Sequence, residues 1–150
     1  MKKVKPEKYA GLDISAAAEK LMLNYPVAFA RYCNGVGSRI GGFWSRLFYH
    51  FIPNTIWFMN ITDCSDLHDV DYSVPNVFAT LADARQYRLD ADLRFYNNLL
   101  IRIEERGGWF EHARKHRAIV YYNTLRVMGE DSFMDGKQIL NQKEELCGKL

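Results

Sequence analysis

A mostly α-helical single domain is the fold class that this sequence predicts, and three observations carry it. First, apolar side chains recur at helical spacing from Tyr87 to Glu105, where Leu89, Phe95, Tyr96, Leu99, Leu100 and Ile103 share one face. The pattern returns from Trp109 to Met128, with Ala113, Ala118, Tyr121, Tyr122 and Leu125 as the stripe. Second, Ser15 stands ahead of Ala16-Ala17-Ala18-Glu19, a capping residue followed by strong helix formers and an acid in the first turn. Third, no two runs alternate as paired strands, apart from a small hairpin that residues 55–61 would allow. A chain of 150 residues fits one domain. At that size it buries roughly 68–70% of its unfolded surface, enough for its own core.

Taken in order, residues 1–13 read as an arm in which Lys2, Lys3, Lys5 and Lys8 form a small solvated basic cluster. The first helix runs from Ala16 through Leu21, Leu23, Val27, Phe29 and Tyr32, and Pro26 kinks or splits it. It stops at Asn34-Gly35. Gly37, Gly41 and Gly42 follow, marking a loop with unusual backbone angles. Phe43 to Phe51 reads as a short aromatic helix ended by Pro53. The run Ile56-Trp57-Phe58-Met59 is expected to be buried. Thr62 or Asp63 is the expected cap of a helix that holds His68, Asp69 and Tyr72, and Pro75 ends it. Residues 74–86 read as loop. Gly107-Gly108 closes the Tyr87–Glu105 helix, Gly129 is expected to close the next, and 135–150 form a polar tail.

Composition excludes several classes. Net charge is only +2 with no long basic run, which argues against nucleic-acid partners. The 3 cysteines, Cys33, Cys64 and Cys147, are scattered and form no CxxC pair. That disfavours a disulfide framework or a structural zinc site and predicts free thiols. The first residues lack the apolar core of a signal peptide, and no run of about 18 apolar residues exists. The expectation is a chain that is cytoplasmic as synthesised. No GxxxxGK[ST], GxGxxG or GxSxG motif is present, so neither nucleotide binding nor an α/β-hydrolase nucleophile is indicated. His112 and His116 have the i, i+4 spacing of zinc ligands, but they lie in the basic stretch Glu111–Arg117 without the HExxH glutamate. They read as a solvated face. His50, alone among aromatic residues, reads as a packing side chain.

Chemistry concentrates in two places. Asp92 interrupts an otherwise apolar helix face, and a carboxylate buried there needs a partner. A histidine is the natural one. The segment Cys64-Ser65-Asp66-Leu67-His68-Asp69-Val70-Asp71-Tyr72 offers it. On a helix His68 and Tyr72 share a face, while Asp69 points about 100° away from His68. An imidazole with an ordinary pKa near ~6.5 is a suitable general base, and an aspartate beside it is a suitable oxygen ligand for a hard cation. The preceding Asn34-Gly35-Val36-Gly37 is the kind of loop whose backbone carbonyls can turn toward such an ion.

These segments together resemble the phospholipase A2 superfamily: a glycine-rich calcium loop, then Cys-x-x-x-His-Asp-x-x-Tyr, then Asp-x-x-Phe on an antiparallel helix. Cys64, His68, Asp69 and Tyr72 fit the first helix, and Asp92 and Phe95 fit the second. The short interval from His68 to Asp92 is similar to bacterial and viral members, and the resemblance spans roughly residues 30–130. It departs at Val36, where the family usually carries the cysteine of a loop-to-helix disulfide, with Cys33 just ahead. The loop-to-helix distance is also longer than usual. The resemblance implies hydrolysis of a glycerophospholipid ester at a membrane surface, with His68 as base, Asp92 behind it, and Tyr72 with Tyr121 or Tyr122 on Asp92. It also implies Ca²⁺ held by Asp69 and carbonyls at Gly35 and Gly37, and a viral or prophage protein that is virion-associated in its setting. Trp57 and Phe58 are candidates for an acyl channel or for core. Two other readings share these residues: a catalytically inactive structural or interaction protein of the same fold, and a metal-dependent phosphohydrolase built on His68-Asp69.

Overall fold

The computed structural model describes residues 7–33 and 55–141. The Gly35–Gly37 loop, Gly41, Gly42, the Phe43–Phe51 segment with His50, Lys2, Lys3, Lys5 and Cys147 lie outside the described residues. The protein is mostly helical. A short 3-10 turn, Glu7–Tyr9, precedes α1 (Ala16–Asn24) and α2 (Pro26–Tyr32). The strands β1 (Thr55–Ile56) and β2 (Met59–Asn60) lead to α3 (Thr62–Ser73). Then follow β3 (Val77–Phe78), α4 (Leu81–Arg106), α5 (Glu111–Met134) and β4 (Gln138–Ile139).

The first helices form as the sequence dictates. The Ser15 hydroxyl accepts from the Ala18 amide at 3.0 Å and starts α1. Pro26 splits the pattern, occupying the first turn of α2, where its missing N–H costs nothing. Residues 7–13 are not a free arm. Tyr9 and Leu12 are buried, and the Tyr9 hydroxyl donates to Asp66 at 3.3 Å. Lys8 pairs with Asp66, and Asn98 holds both the amide and the carbonyl of Asp13, at 2.8 and 2.9 Å.

Elsewhere the sequence expectation is corrected. Only the ends of Ile56-Trp57-Phe58-Met59 are buried; Trp57 and Phe58 are the exposed turn of the β1–β2 hairpin. The cap of α3 comes from neither Thr62 nor Asp63. Asn60 accepts from the Thr62 amide at 2.8 Å, and Ile61 occupies the cap position without a side-chain bond. The α4 helix starts at Leu81, well ahead of Tyr87, because Thr80 and Asp83 form a reciprocal capping box. Its end at Gly107, φ 57°, is as expected. The α5 helix runs through Gly129 to Met134, and the fully buried Phe133 holds that extra turn down. The polar tail contributes β4, which pairs in parallel with β3.

Two antiparallel contacts build the core. Asp63 meets Arg102 while Asp71 meets Arg94, so α3 and α4 run in opposite directions. Arg85 meets Glu130 while Lys115 meets Glu104, so α5 also runs against α4. The interior joins Leu67, Val70, Phe95, Leu99, Ile103, Ala118, Tyr121 and Leu125 with Met22, Phe29 and Ile56. A second cluster around Phe78, Ala84 and Phe133 closes the other end.

Candidate active site

The α4 face that carries Asp92 is wedged between α3 and α5, and Asp92 is completely buried. The expected histidine meets it there. His68 Nε2 lies 3.1 Å from Asp92 Oδ1, across 24 residues of sequence. The Tyr72 hydroxyl, one helical turn after His68, donates to the same oxygen at 2.7 Å. The other oxygen, Oδ2, accepts from Arg126 Nη1 at 2.8 Å and faces Arg88 Nε at 3.8 Å. Three helices therefore converge on one carboxylate. The His68 ring is itself buried, flanked by Tyr72 with ring centroids 4.2 Å apart and by Phe95 at 4.9 Å.

The electrostatics follow from these contacts. Burial alone pushes the Asp92 carboxyl up; hydrogen bonding from His68, the charge of an imidazolium there, and hydrogen bonds from Tyr72 and Arg126 outweigh it and hold Asp92 below the ordinary carboxylate range. Burial, followed by the Asp92 charge, keeps the Tyr72 hydroxyl protonated far above its usual pKa, so it stays a donor. Asp92 occupies Nε2 of His68, so Nδ1 is the ring nitrogen that this contact leaves over.

Arg88 and Arg126 were not foreseen as site residues. Arg88 is buried and donates to the Leu125 and Arg126 carbonyls at 2.7 and 2.8 Å, so it also fixes α5 against α4. One signal for it was present: Arg88 stands four residues before Asp92, on the same helix face. Arg126 carries no such signal, because only the α4–α5 packing brings it to Asp92. Tyr121 is buried, with the Arg117 guanidinium 5.1 Å from its ring centroid, and Tyr122 packs against Tyr96. The tyrosine seen on Asp92 is Tyr72.

Gly129 has a different role from the helix stop that was expected. A β-carbon there would lie 2.7 Å from the Tyr72 hydroxyl oxygen, so the missing side chain makes room for that hydroxyl. The Tyr72 ring cannot easily retreat, because Phe133 packs against it at 5.2 Å. Gly129→Ala should therefore cost about 1–2 kcal/mol net, overpacking exceeding the roughly 1 kcal/mol that alanine gains in a helix. Urea denaturation checks it. Combining Gly129→Ala with Tyr72→Phe should cost less than the two single changes added, since the colliding oxygen is gone.

Asp69 lies on α3 at intermediate burial, on a different face from His68. The α2 helix packs against α3. Burial pushes the Cys33 thiol to about 11, and the charges of Asp66 and, more weakly, Asp69 add to that rise. Gly35 and Gly37, the other expected ligands, lie outside the described residues. Among the described residues no group of three or more His, Cys, Asp or Glu is arranged to hold a metal ion. Cys33 and Cys64 are free thiols, and Cys64 is fully buried. His112 and His116 are exposed on α5. No helix among the described residues is long and apolar enough to cross a membrane. No protein-family model, curated protein or solved structure matches this chain.

Proposed function

We propose that the chain is a phospholipase A2-like hydrolase that uses the His68–Asp92 dyad to activate water against a glycerophospholipid ester. The observation that carries this reading is the 3.1 Å contact between His68 Nε2 and a completely buried Asp92. A histidine backed by a fixed carboxylate is the arrangement general-base catalysis needs: one ring nitrogen is oriented, and the other takes a proton from water. Asp92 remains ionised, orients the ring and stabilises the imidazolium that forms. Tyr72 and Arg126 hold the carboxylate in place. Collapse of the tetrahedral intermediate returns the proton from His68 to the leaving alkoxide, releasing fatty acid and lysophospholipid.

The cation that would serve this reaction is Ca²⁺, which Asp69 would hold together with carbonyls at Gly35 and Gly37. The donor chemistry suits it: Asp69 is a hard oxygen ligand beside the base but directed elsewhere. When bound, the ion supplies charge stabilisation to the oxyanion. A single acidic ligand implies weak affinity, with waters completing the shell.

Hydrolysis of a fluorogenic phospholipid, with calcium and with excess chelator, tests the whole reading. Activity is expected only with calcium. Asp69→Asn should lose nearly all activity while its circular dichroism matches wild type, because asparagine keeps the side-chain shape and has a helix propensity like that of aspartate. Full activity in chelator, or in Asp69→Asn, rules out the cation role. No hydrolysis by folded protein under either condition sinks the enzyme and leaves a binding protein with the same helices.

A further inference from the structure

We propose that Lys137 is a covalent modification site, a nucleophilic amine that takes a short, uncharged acyl group from an acyl thioester, and that the modification unfastens the strand that follows it. Placement is the first argument. Lys137 stands three residues after the end of α5 and is only partly exposed. Its Nζ donates to the Tyr72 carbonyl, and to the Pro75 carbonyl at 2.9 Å. The Phe133 ring centroid lies 4.9 Å from Nζ. A free amine has two N–H groups, and these two carbonyls take both, leaving the lone pair; an ammonium carries a third N–H. Among the described residues no carboxylate contacts Lys137. On α3, Asp71 is held by Ser15 and Arg94; on α4, the Tyr87 hydroxyl is spent on the Val74 carbonyl. Asp131 and Asp135, at the end of α5, are exposed.

Electrostatics are the second argument. The carbonyls at the end of α3 and the Phe133 ring favour the cation. Burial opposes it and prevails, lowering the Lys137 ammonium from 10.5 to about 8. About a quarter of the side chain is then free amine near pH 7.5, against roughly one part in a thousand for an ordinary lysine. Lysines desolvated in this way act as nucleophiles.

The surroundings select the acyl group. Phe78, Phe133, Met134 and Ile139 belong to the adjoining apolar cluster. A short uncharged chain is accepted beside them, whereas one ending in a carboxylate would lose hydration without a partner. The step balances. Nζ attacks the thioester carbonyl carbon, the N–C bond forms, the C–S bond breaks, and the proton lost from nitrogen goes to the departing thiolate. The product amide has one N–H for two carbonyls, so one of them loses its donor. That loss falls where the tail is tied down. The backbone beyond Lys137 is held by Gln138 on the Asn76 carbonyl at 2.8 Å, and by Leu140 on Phe78 and Asn141 on Ala79, both at 3.0 Å.

The test is acetylation of the full chain by acetyl-coenzyme A over a series of pH values, read site by site by peptide mass spectrometry. Near neutral pH, Lys137 is expected to react about tenfold faster than the exposed Lys20, because its larger fraction of free amine outweighs its lower basicity. Its rate should level off above about pH 8. In urea the preference should vanish, since it belongs to the fold. Equal rates in the folded protein, or a preference that survives unfolding, overturn the site. A succinyl thioester that favours Lys137 as strongly as the acetyl one overturns the selection for an uncharged group. Hydrogen exchange reads the consequence. The Leu140 and Asn141 amides should exchange about tenfold faster in the acetylated chain and in Lys137→Gln, which imitates the acylated side chain. Unchanged exchange in both overturns the unfastening. None of these readouts involves ester hydrolysis, so their outcome is independent of the dyad's chemistry.

Discussion

Replacing His68 with glutamine is expected to silence ester hydrolysis while the helices stay intact. A positioned general base contributes about 10²–10⁴ in rate, and glutamine cannot accept the proton. It can still present an amide N–H toward Asp92, so the buried carboxylate keeps a donor at that position. The ring contacts with Tyr72 and Phe95 are lost, at a stability cost of about 1–2 kcal/mol, which a domain of this size tolerates. The measurement is initial hydrolysis rate with calcium, paired with circular dichroism and a thermal melt. Wild-type rates in His68→Gln would remove the base from the mechanism.

Asp92→Asn is the second large effect, and it falls on stability as well as rate. Asparagine keeps an acceptor but removes the negative charge facing Arg88, which is only 2% exposed, and Arg126. Leaving a buried charge without its counter-ion costs about 3–5 kcal/mol. Arg88 retains Glu130 at 3.3 Å and two backbone carbonyls, so the low end is expected. A loss of about 3 kcal/mol lowers the melting temperature by roughly 10 °C in a chain this long. The pH dependence identifies the cause. Asp92 titrates below its usual 3.8 in the folded state. Its ionised form therefore stabilises the fold fully above about pH 4, and that contribution fades as pH drops through the folded value. Urea midpoints of wild type and Asp92→Asn should be clearly separated above about pH 5 and draw together as pH falls below about 4. A gap that does not narrow at all on acidification would show that the loss is one of shape, not of charge.

The dyad was legible before any coordinates because its two halves break local rules. Asp92 sits among leucines and aromatics, and a histidine and tyrosine one turn apart supply the donors that its burial demands. The cap at Ser15 and the break at Pro26 were equally legible, since both act within a few residues of sequence. The errors have local explanations too. The Thr80–Asp83 capping box extends α4 backward into residues whose composition suggests a loop, and Gly129, a residue type that commonly stops helices, instead makes room for Tyr72.

By itself, then, the sequence determined the helical class, the positions of the main helices and the pairing of His68 with Asp92. Helical periodicity and the cost of an unpaired buried carboxylate are properties of short segments and single residues. Tertiary structure alone decided that Arg126 shares that carboxylate and that residues 7–13 belong to the core. It also decided that Trp57 and Phe58 face outward. Each of these depends on contacts between elements 30 to 90 residues apart, such as Arg126 with Asp92 or Asn98 with Asp13. Hydropathy cannot report them, because the same tryptophan or arginine is stable inside or outside according to what the neighbouring helix presents to it.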